Sequence, residues 1–319
     1  MRQIIYKLLS FLGEKNRARV IHAVLYIKDF QGREHTERLG PLNPDKTIYC
    51  IRRNKANQKD GLLSIFQYVM ARIDYAHRHN LVPFVDVDNG LSGGGGFSMF
   101  NKYFKVKNSL TREEVYNSKH VLFSGWNSMW ITPGWGSYMN CDYNEEKLLL
   151  FNKYIELTDE VKAHTSKALE VIDPSKCLGL YLRGTDYMRM RPLGHPIQPS
   201  FKDVEQEVSR IMGEENLPFI FLVTEDYDIA LQVKETYGEK VLTIEDDIYW
   251  ENYHCGYLRS TIETGSDLNR ANMTYLVKEI LLSKCAALVG GRTNGSSFAC
   301  ALNGGKYKQK YIFDKGFYE

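Results

Sequence analysis

The stretch "LGLYLRGTDYMRMRPLGHPIQPS", residues 178–200, decides the fold class and contains the first candidate functional group. Residues 178–182 form a nearly unbroken apolar run, which is typical of a strand covered on both faces of a parallel sheet. Arg183, Gly184 and Asp186 then end the strand with a permanent cation, a turn residue and an acid. Ligands of open α/β sheets bind beyond the carboxyl ends of the strands, so Arg183 is predicted to lie in a binding crevice.

Apolar runs and amphipathic patterns alternate on both sides of this stretch. In the second half of the chain, strands are predicted at 178–182, 219–223, 240–244 and 286–290. Helices are predicted there at 201–213, 226–237 and 270–285, with another from about Ser296. The first half shows the same alternation, with strands at 47–51, 81–87 and 120–125 and a helix at 61–80.

This alternation predicts an α/β protein with two Rossmann-like domains that face each other across a cleft. The length of 319 residues suits two domains. A charged helical stretch, 144–172, lies between the two halves and is stopped by Asp173 and Pro174. The predicted boundary therefore separates residues 1–172 from residues 173–319.

Charge and cysteine content narrow the function classes. The formal net charge of +2 does not favour nucleic-acid binding, which usually needs a strongly basic face. The six cysteines form no C-x-x-C pair, which fits a reduced, intracellular setting. Basic residues interrupt the apolar runs of segment 1–30, so this segment cannot span a bilayer. It can form a basic helix on a membrane surface, although packing on the following domain is the simpler interpretation.

Two further strand ends carry polar groups. Thr224, Glu225 and Asp226 follow strand 219–223, where a hydroxyl and two acids suit either a helix cap or a ligand. Strand 286–290 is followed by a glycine-rich turn into a helix, with hydroxyls and free backbone N–H groups that can bind an anion. The residues concerned there are Arg292, Asn294, Ser296, Ser297 and Phe298. The turn is neither a P-loop nor a G-x-G-x-x-G fingerprint.

The first half offers candidates for a second substrate. Gly61 opens the helix at 61–80, whose N-terminus is predicted to point into the cleft. Trp126 and Trp130 can stack on sugar rings, although tryptophans fill cores more often. Asp86 and Asp88 form a D-x-D pair that can hold a divalent metal, a pattern that is common by chance.

The motif "LYLRGTDY" resembles the first motif of the fucosyltransferase superfamily that includes α1,2-, α1,6- and protein O-fucosyltransferases. The segments "DGLLSIFQYVMARIDYAHRHNLVPFVD", "FLVTEDYD" and "LVKEILLSKCAALVGGRTNGSSFACAL" follow the family's order, and the resemblance covers roughly residues 45–310. Tyr181 stands where the family has histidine, and Gly184 replaces the second basic residue of double-arginine variants.

The resemblance implies an inverting, metal-independent glycosyltransferase of the GT-B fold, with GDP-fucose bound by the C-terminal domain and the acceptor by the N-terminal domain. Arg183 matches the arginine that grips the donor diphosphate, and Asp186 matches the motif's acid. Ser296 and Ser297 match the loop that contacts the nucleotide. Glu279 lies within a residue of an acid that reads the guanine edge.

The acceptor hydroxyl must lose its proton, and His195 or Asp186 is predicted to take it. The alternative interpretation of His195 is a histidine of a surface loop.

Other hypotheses for the function are a metal-dependent enzyme that uses Asp86 and Asp88, a pyruvyl or phosphoryl transferase, and a non-catalytic nucleotide- or sugar-binding protein. Enzymes of the implied class typically build surface polysaccharides on lipid-linked acceptors, which predicts a cytoplasmic protein, peripheral to the inner membrane if the N-terminal helix binds there.

Overall fold

The computed structural model describes residues 20, 32–53, 61–87, 100–125, 141–142, 145–192, 194–245, 247–249 and 265–319, with the side chains of Asp186 and of residues 265–267 excepted. Trp126, Trp130, Asp88 and nearly all of segment 1–30 lie outside this part of the chain. The described residues divide into two compact units. The first contains residues 32–53, 68–87, 100–101 and 106–125, and the second contains residues 61–67, 102–105 and those from 141 onward.

The second unit is built on a five-stranded sheet in which every pair of neighbours is parallel. Its strands are β7 (Cys177–Tyr181), β8 (Phe219–Val223), β9 (Val241–Leu242), β10 (Ala287–Gly291) and β11 (Gln309–Phe313). They lie in the order β9-β8-β7-β10-β11, so consecutive strands run outward from β7 first to one side and then to the other. This is the order of a doubly wound sheet, and it confirms the predicted α/β class.

Helices cover both faces of this sheet. Their bounds are α4 (Glu145–Tyr154), α5 (Asp159–Val171), α6 (Thr185–Met190), α7 (Phe201–Glu214), α8 (Tyr227–Tyr237), α9 (Gly265–Leu282) and α10 (Asn294–Asn303). On one face, Val204 and Val208 of α7 and Val233 of α8 pack among the leucines and valines of β7, β8 and β10. Helix α9 packs against β8, α5 and α10. Because both faces are covered, the strands are continuously apolar, as the sequence indicated.

The first unit has a four-stranded sheet in the order β1-β5-β2-β3. Its strands are β1 (His35–Glu37), β2 (Ile48–Ile51), β3 (Val82–Val85) and β5 (Val121–Phe123), and its short helix is α3 (Arg112–Val115). Helices α1 (Leu62–Arg78) and α2 (Phe100–Tyr103) have residues in both units. Strand β2 is parallel to β3 and β5, whereas β1 is antiparallel to β5. Ile48, Cys50, Phe84 and Phe123 form part of its apolar core.

One prediction about the middle of the chain needs correction. The single helix expected over 144–172 is interrupted by β6 (Ile155–Leu157), because this segment pairs with β4 (Phe104–Val106). The second compact unit includes α5, which packs on α9, and the predicted domain boundary between residues 172 and 173 stays a prediction. The assignment of two substrates to two facing domains stays a prediction.

Candidate functional site

The strand order puts a topological switch point between β7 and β10. Tyr181, the last residue of β7, is level with Val223 of β8 and with Gly290 of β10. The segments that leave these three strands therefore begin at the same edge of the sheet. Ligands of doubly wound sheets bind at such a point, so the residues after β7, β8 and β10 form the candidate site.

Arg183 is the cation that follows β7 in this site, and a carboxylate from the neighbouring strand end holds it. Its Nε lies 3.4 Å from Oε1 of Glu225, and the two side chains are 18% and 15% exposed. The Arg183 guanidinium carbon also lies 5.0 Å from the centroid of the Tyr187 ring. An arginine held in this way presents the rest of its fork in a restricted orientation. The side chain of Asp186, the motif's acid in the sequence interpretation, lies outside the described part of the chain.

The turn after Arg183 has a strained backbone. Thr185 is buried and has a φ of +42°, which is unusual for a β-branched residue. Its backbone N–H donates to Asp226 Oδ2 at 2.8 Å, and its hydroxyl donates to Glu225 Oε1 at 2.9 Å. Strain of this kind persists where surrounding contacts fix the conformation, and such positions cluster at functional sites.

Gly184 lets this turn approach β8 closely. A Cβ atom at this position would overlap Asp226 Oδ2 and lie 2.6 Å from its Cγ. The Gly184 N–H also donates to Glu225 Oε1 at 3.2 Å. The two acids after β8 therefore hold the backbone that carries Arg183.

Asp226 also begins α8, as the capping interpretation expected. Its Oδ1 accepts from the N–H of Ile229 at 3.1 Å, and its own N–H donates to the Thr224 hydroxyl. The Thr224 carbonyl accepts from Lys278 Nζ at 2.8 Å. Lys278 pairs with Asp247 at 2.5 Å, and both side chains are buried. Thr224 and Asp226 thus fix the end of β8 and the start of its helix.

The turn after β10 is closed by a capping box that the sequence interpretation missed. Thr293 Oγ1 accepts from the N–H groups of Gly295 and Ser296, while Ser296 Oγ accepts from the Thr293 N–H at 2.9 Å. The spacing Thr-x-x-Ser resembles the usual capping-box pattern, with serine in place of Glu or Gln at the last position. Ser296 and Ser297 are buried, so their contact with a ligand stays a prediction.

Arg292 and Asn294 lie on either side of this cap. Arg292 Nη2 pairs with Asp314 Oδ2 at 2.9 Å, and its carbonyl accepts from the Gln198 amide. The Asn294 carbonyl accepts from Gln67 Nε2 at 3.3 Å. The remaining predicted residue, Phe298, is buried edge-on against Phe66 and contributes to the core.

His195 and Arg183 contact the same aromatic ring. The His195 ring meets Tyr187 edge-on with centroids 5.3 Å apart, and Arg183 lies over that ring. The backbone of His195 is pinned, because its carbonyl accepts from the Tyr318 N–H at 3.0 Å. Tyr187, on α6 and four residues after Arg183, therefore joins the two predicted groups and was not singled out from the sequence.

Glu279 lies on α9 and is completely buried. Burial raises the pKa of its carboxyl to about 8. The charge of Lys278, a hydrogen bond from Tyr275 and the charge of Arg183 act in the opposite direction and lower this pKa. A carboxyl group in this position is neutral at pH 7. Direct contact between Glu279 and a ligand stays a prediction.

Two of the candidates in the first half of the chain, Gly61 and Asp86, belong to the described residues. Gly61 precedes α1 and is exposed. Asp86 is buried, accepts from the Tyr116 hydroxyl at 2.6 Å and lies 3.8 Å from Arg112 Nε. Within the described residues, no group of three or more His, Cys, Asp or Glu side chains is arranged to hold a metal ion. None of the described helices combines the length and the apolar character that a membrane span requires.

The chain was also compared with known proteins. No family model matches the sequence, and no curated protein matches it. Among solved structures, the chain is similar to the fucosyltransferase NodZ from Bradyrhizobium, with 13% identity over 80% of this chain and 93% of that chain and a TM-score of 0.46. A variant of FUT1 from Arabidopsis thaliana in complex with GDP is 13% identical, with 97% and 77% coverage and a TM-score of 0.46. POFUT1 in complex with GDP-fucose is 10% identical, with 84% and 73% coverage and a TM-score of 0.39.

Proposed function

We propose that this chain is a glycosyltransferase that moves fucose from GDP-fucose to a hydroxyl group of a glycan acceptor. The observation that carries the proposal is the position of Arg183, held by Glu225 in a strained turn at the switch point of a doubly wound sheet. The resemblance of "LYLRGTDY" to the first fucosyltransferase motif supports the choice of donor.

The reaction is a displacement at C1 of the sugar. The acceptor oxygen forms a bond to C1, the bond from C1 to the β-phosphate oxygen breaks, and GDP leaves with the electron pair. Arg183 would neutralise the charge that grows on the leaving diphosphate, a task for which a pre-oriented guanidinium is suited without a metal ion. Attack opposite the leaving group inverts the configuration at C1.

The acceptor proton requires a base. His195 is our first candidate, because its ring lies against the aromatic ring that also contacts Arg183. Asp186 is the second, from its place in the motif. Thr224, Glu225, Asp226, Arg292 and Asn294 would fix the backbone and charges around the donor.

The biological setting is part of the proposal. We propose that the acceptor is a glycan or a lipid-linked oligosaccharide of surface polysaccharide synthesis, reached from the cytoplasmic side of a membrane. Gly61, Trp126 and Trp130 remain the proposed acceptor contacts, from their place in the sequence.

The decisive experiment is ligand-dependent stabilisation followed by turnover. Thermal unfolding should shift with GDP and GDP-fucose and should not shift with UDP or CMP. Transfer of labelled fucose to glycan acceptors should persist in EDTA, and NMR of the product should show inverted configuration at C1. A shift with UDP alone would replace the donor, loss of activity in EDTA would favour the metal-dependent alternative, and binding without turnover would favour a binding protein.

Arg183→Ala tests the central residue. We expect kcat/KM to fall by about 100-fold or more, the loss typical when one pre-oriented donor is removed from an active site. Arg210→Ala is the matched control, because Arg210 is an exposed arginine paired with Glu207 and Glu214 on α7. Near-normal turnover of Arg183→Ala would remove the central claim.

A further inference from the structure

A polar cluster lies buried beneath the first turn of α10. A Cβ atom on Gly295 would overlap Glu279 Oε1 and lie 2.7 Å from the Tyr275 hydroxyl. These two groups therefore occupy the space that a side chain at position 295 would need. The Tyr181 hydroxyl belongs to the same cluster, since it interacts electrostatically with Glu279 and with Tyr275. Glycine at position 295 allows the carboxyl group to reach the start of the helix.

The Glu279 carboxyl group is enclosed but poorly satisfied. Apart from the interaction with the Tyr275 hydroxyl, neither of its oxygens has a hydrogen-bond partner within the described part of the chain. Several titratable or charged groups surround it on every side. They are Tyr181 and Arg183 from the end of β7, Glu225 from the end of β8, Tyr275 and Lys278 from α9, and Cys300 and Tyr307 from α10 and the segment after it.

Ionisation of this carboxyl group has a consequence for the turn above it. An ionised carboxylate with so few partners is expensive to bury, and burial raises the pKa of Glu279 to about 8. The first turn of α10 attracts anions through the partial positive charge of a helix N-terminus. A full negative charge directly beneath that turn opposes this attraction.

We propose that Glu279 is a positioning residue that must carry its proton for the first turn of α10 to bind an anion, so that its ionisation switches off binding there. The inference rests on the proposed function in taking a diphosphate as the anion. It gives Glu279 a different role from direct reading of a nucleobase, because its carboxyl group lies below the turn, buried.

Two ligands separate these roles. Inorganic pyrophosphate contains the diphosphate alone, whereas GDP adds the base. We would measure the Kd of both by calorimetry at pH 7 and pH 9, for the wild type and for Glu279→Gln, which has the shape of the protonated acid. Ligand ionisation affects the Kd of both proteins equally at a given pH. Dividing the wild-type Kd by the Kd of Glu279→Gln therefore removes this effect.

We expect wild-type binding of both ligands to weaken up to about tenfold, relative to Glu279→Gln, between pH 7 and pH 9. A group with a pKa of about 8 is roughly nine-tenths protonated at the lower pH and roughly one-tenth at the higher. If Glu279→Gln weakens GDP binding and leaves pyrophosphate binding unchanged, Glu279 reads the base and the inference is wrong. Equal pH dependence in both proteins, or no pyrophosphate binding by the wild type, also overturns it.

Two control variants exclude other titrations. A hydrogen bond from Cys300 lowers the pKa of Cys141 to about 7, and Cys141 Sγ lies 3.6 Å from Ser296 Oγ. Cys141→Ser should keep the pH dependence; its loss in this variant would assign the effect to Cys141 and overturn the inference. Glu245→Gln removes an exposed carboxylate paired with Lys167 and should also keep the pH dependence.

A second measurement does not depend on the stability of the variant. The carboxyl carbon of Glu279 in the wild-type protein can be titrated by NMR with and without pyrophosphate. If the protonated form binds the anion better, pyrophosphate must raise the pKa of Glu279. A fall in that pKa would contradict the inference. Because neither experiment requires fucose transfer, failure of the inference and failure of the proposed donor are distinguishable.

Discussion

Arg183 Nε and Glu225 Oε1 lie 3.4 Å apart, at the ends of two adjacent parallel strands that are separated by a connection of about 40 residues. Glu225 Oε1 also accepts from the Gly184 N–H and the Thr185 hydroxyl. One carboxylate therefore orients both the arginine and the backbone that carries it.

Glu225→Gln should keep the shape of the side chain and remove its charge. Because the ion pair is largely buried, we expect a loss of about 1 kcal/mol in unfolding free energy and a fall in kcat/KM of about tenfold or more, as the arginine loses its orienting partner. Urea unfolding and steady-state kinetics measure the two effects. Glu207→Gln, which removes a carboxylate from an arginine pair on α7, is the control.

Combining Glu225→Gln with Arg183→Ala tests directly whether the effects of Glu225 and Arg183 on activity are coupled. If Glu225 acts through the arginine, its substitution should cost far less activity once Arg183 is absent. Additive losses would mean that Glu225 acts on the reaction independently.

Gly184→Ala should reduce activity without unfolding the protein. The new methyl group would overlap the Asp226 carboxylate, so the turn must shift and move Arg183. We expect a cost of about 1–3 kcal/mol in stability, as for other overpacked sites, and a larger relative loss in kcat/KM. Gly213→Ala is the control, since α7 leaves open space around Gly213, and there the change should stabilise by about 0.5–1 kcal/mol. Full activity of Gly184→Ala would show that the close approach is dispensable.

Tyr187 should act through its ring. Tyr187→Phe keeps the surface shared by Arg183 and His195, and we expect kcat within about threefold of the wild type. Tyr187→Leu removes the ring, and a loss of about tenfold is expected from the cation–π contact and from freer motion of both neighbours. Equal kinetics for the two variants would exclude this role.

Asp203 should make stability depend on acid pH. A hydrogen bond from Lys315 and bonds from Ser200 lower its pKa from 3.8 to about 2. The stabilisation is therefore complete above about pH 4 and is lost as the pH falls toward 2. Because the side chain is one-third exposed, we expect Asp203→Asn to cost about 1 kcal/mol at pH 7. The difference in urea unfolding should narrow at pH 3. Asp45→Asn, at an exposed position, should leave the unfolding curve unchanged.

Those elements of the second unit that depend on local patterns could be predicted from the sequence alone. Continuous apolar runs identified β7, β8 and β10, and helical spacing identified α7 and α8. Arg183 could be placed at a strand end for the same reason. The Thr293–Ser296 capping box was equally local and could have been found by its spacing.

Tertiary structure decided which groups meet at those strand ends. The strand order depends on pairings between distant residues, and it brings Glu225 rather than a neighbour in sequence to Arg183. The break of segment 144–172 by β6 follows from pairing with β4, some 50 residues earlier in the chain, which helical periodicity cannot indicate. The enclosure of Glu279 beneath Gly295 likewise arises from packing α9 against α10. Local propensity specifies elements, whereas the free energy of long-range packing selects the contacts that give a site its chemistry.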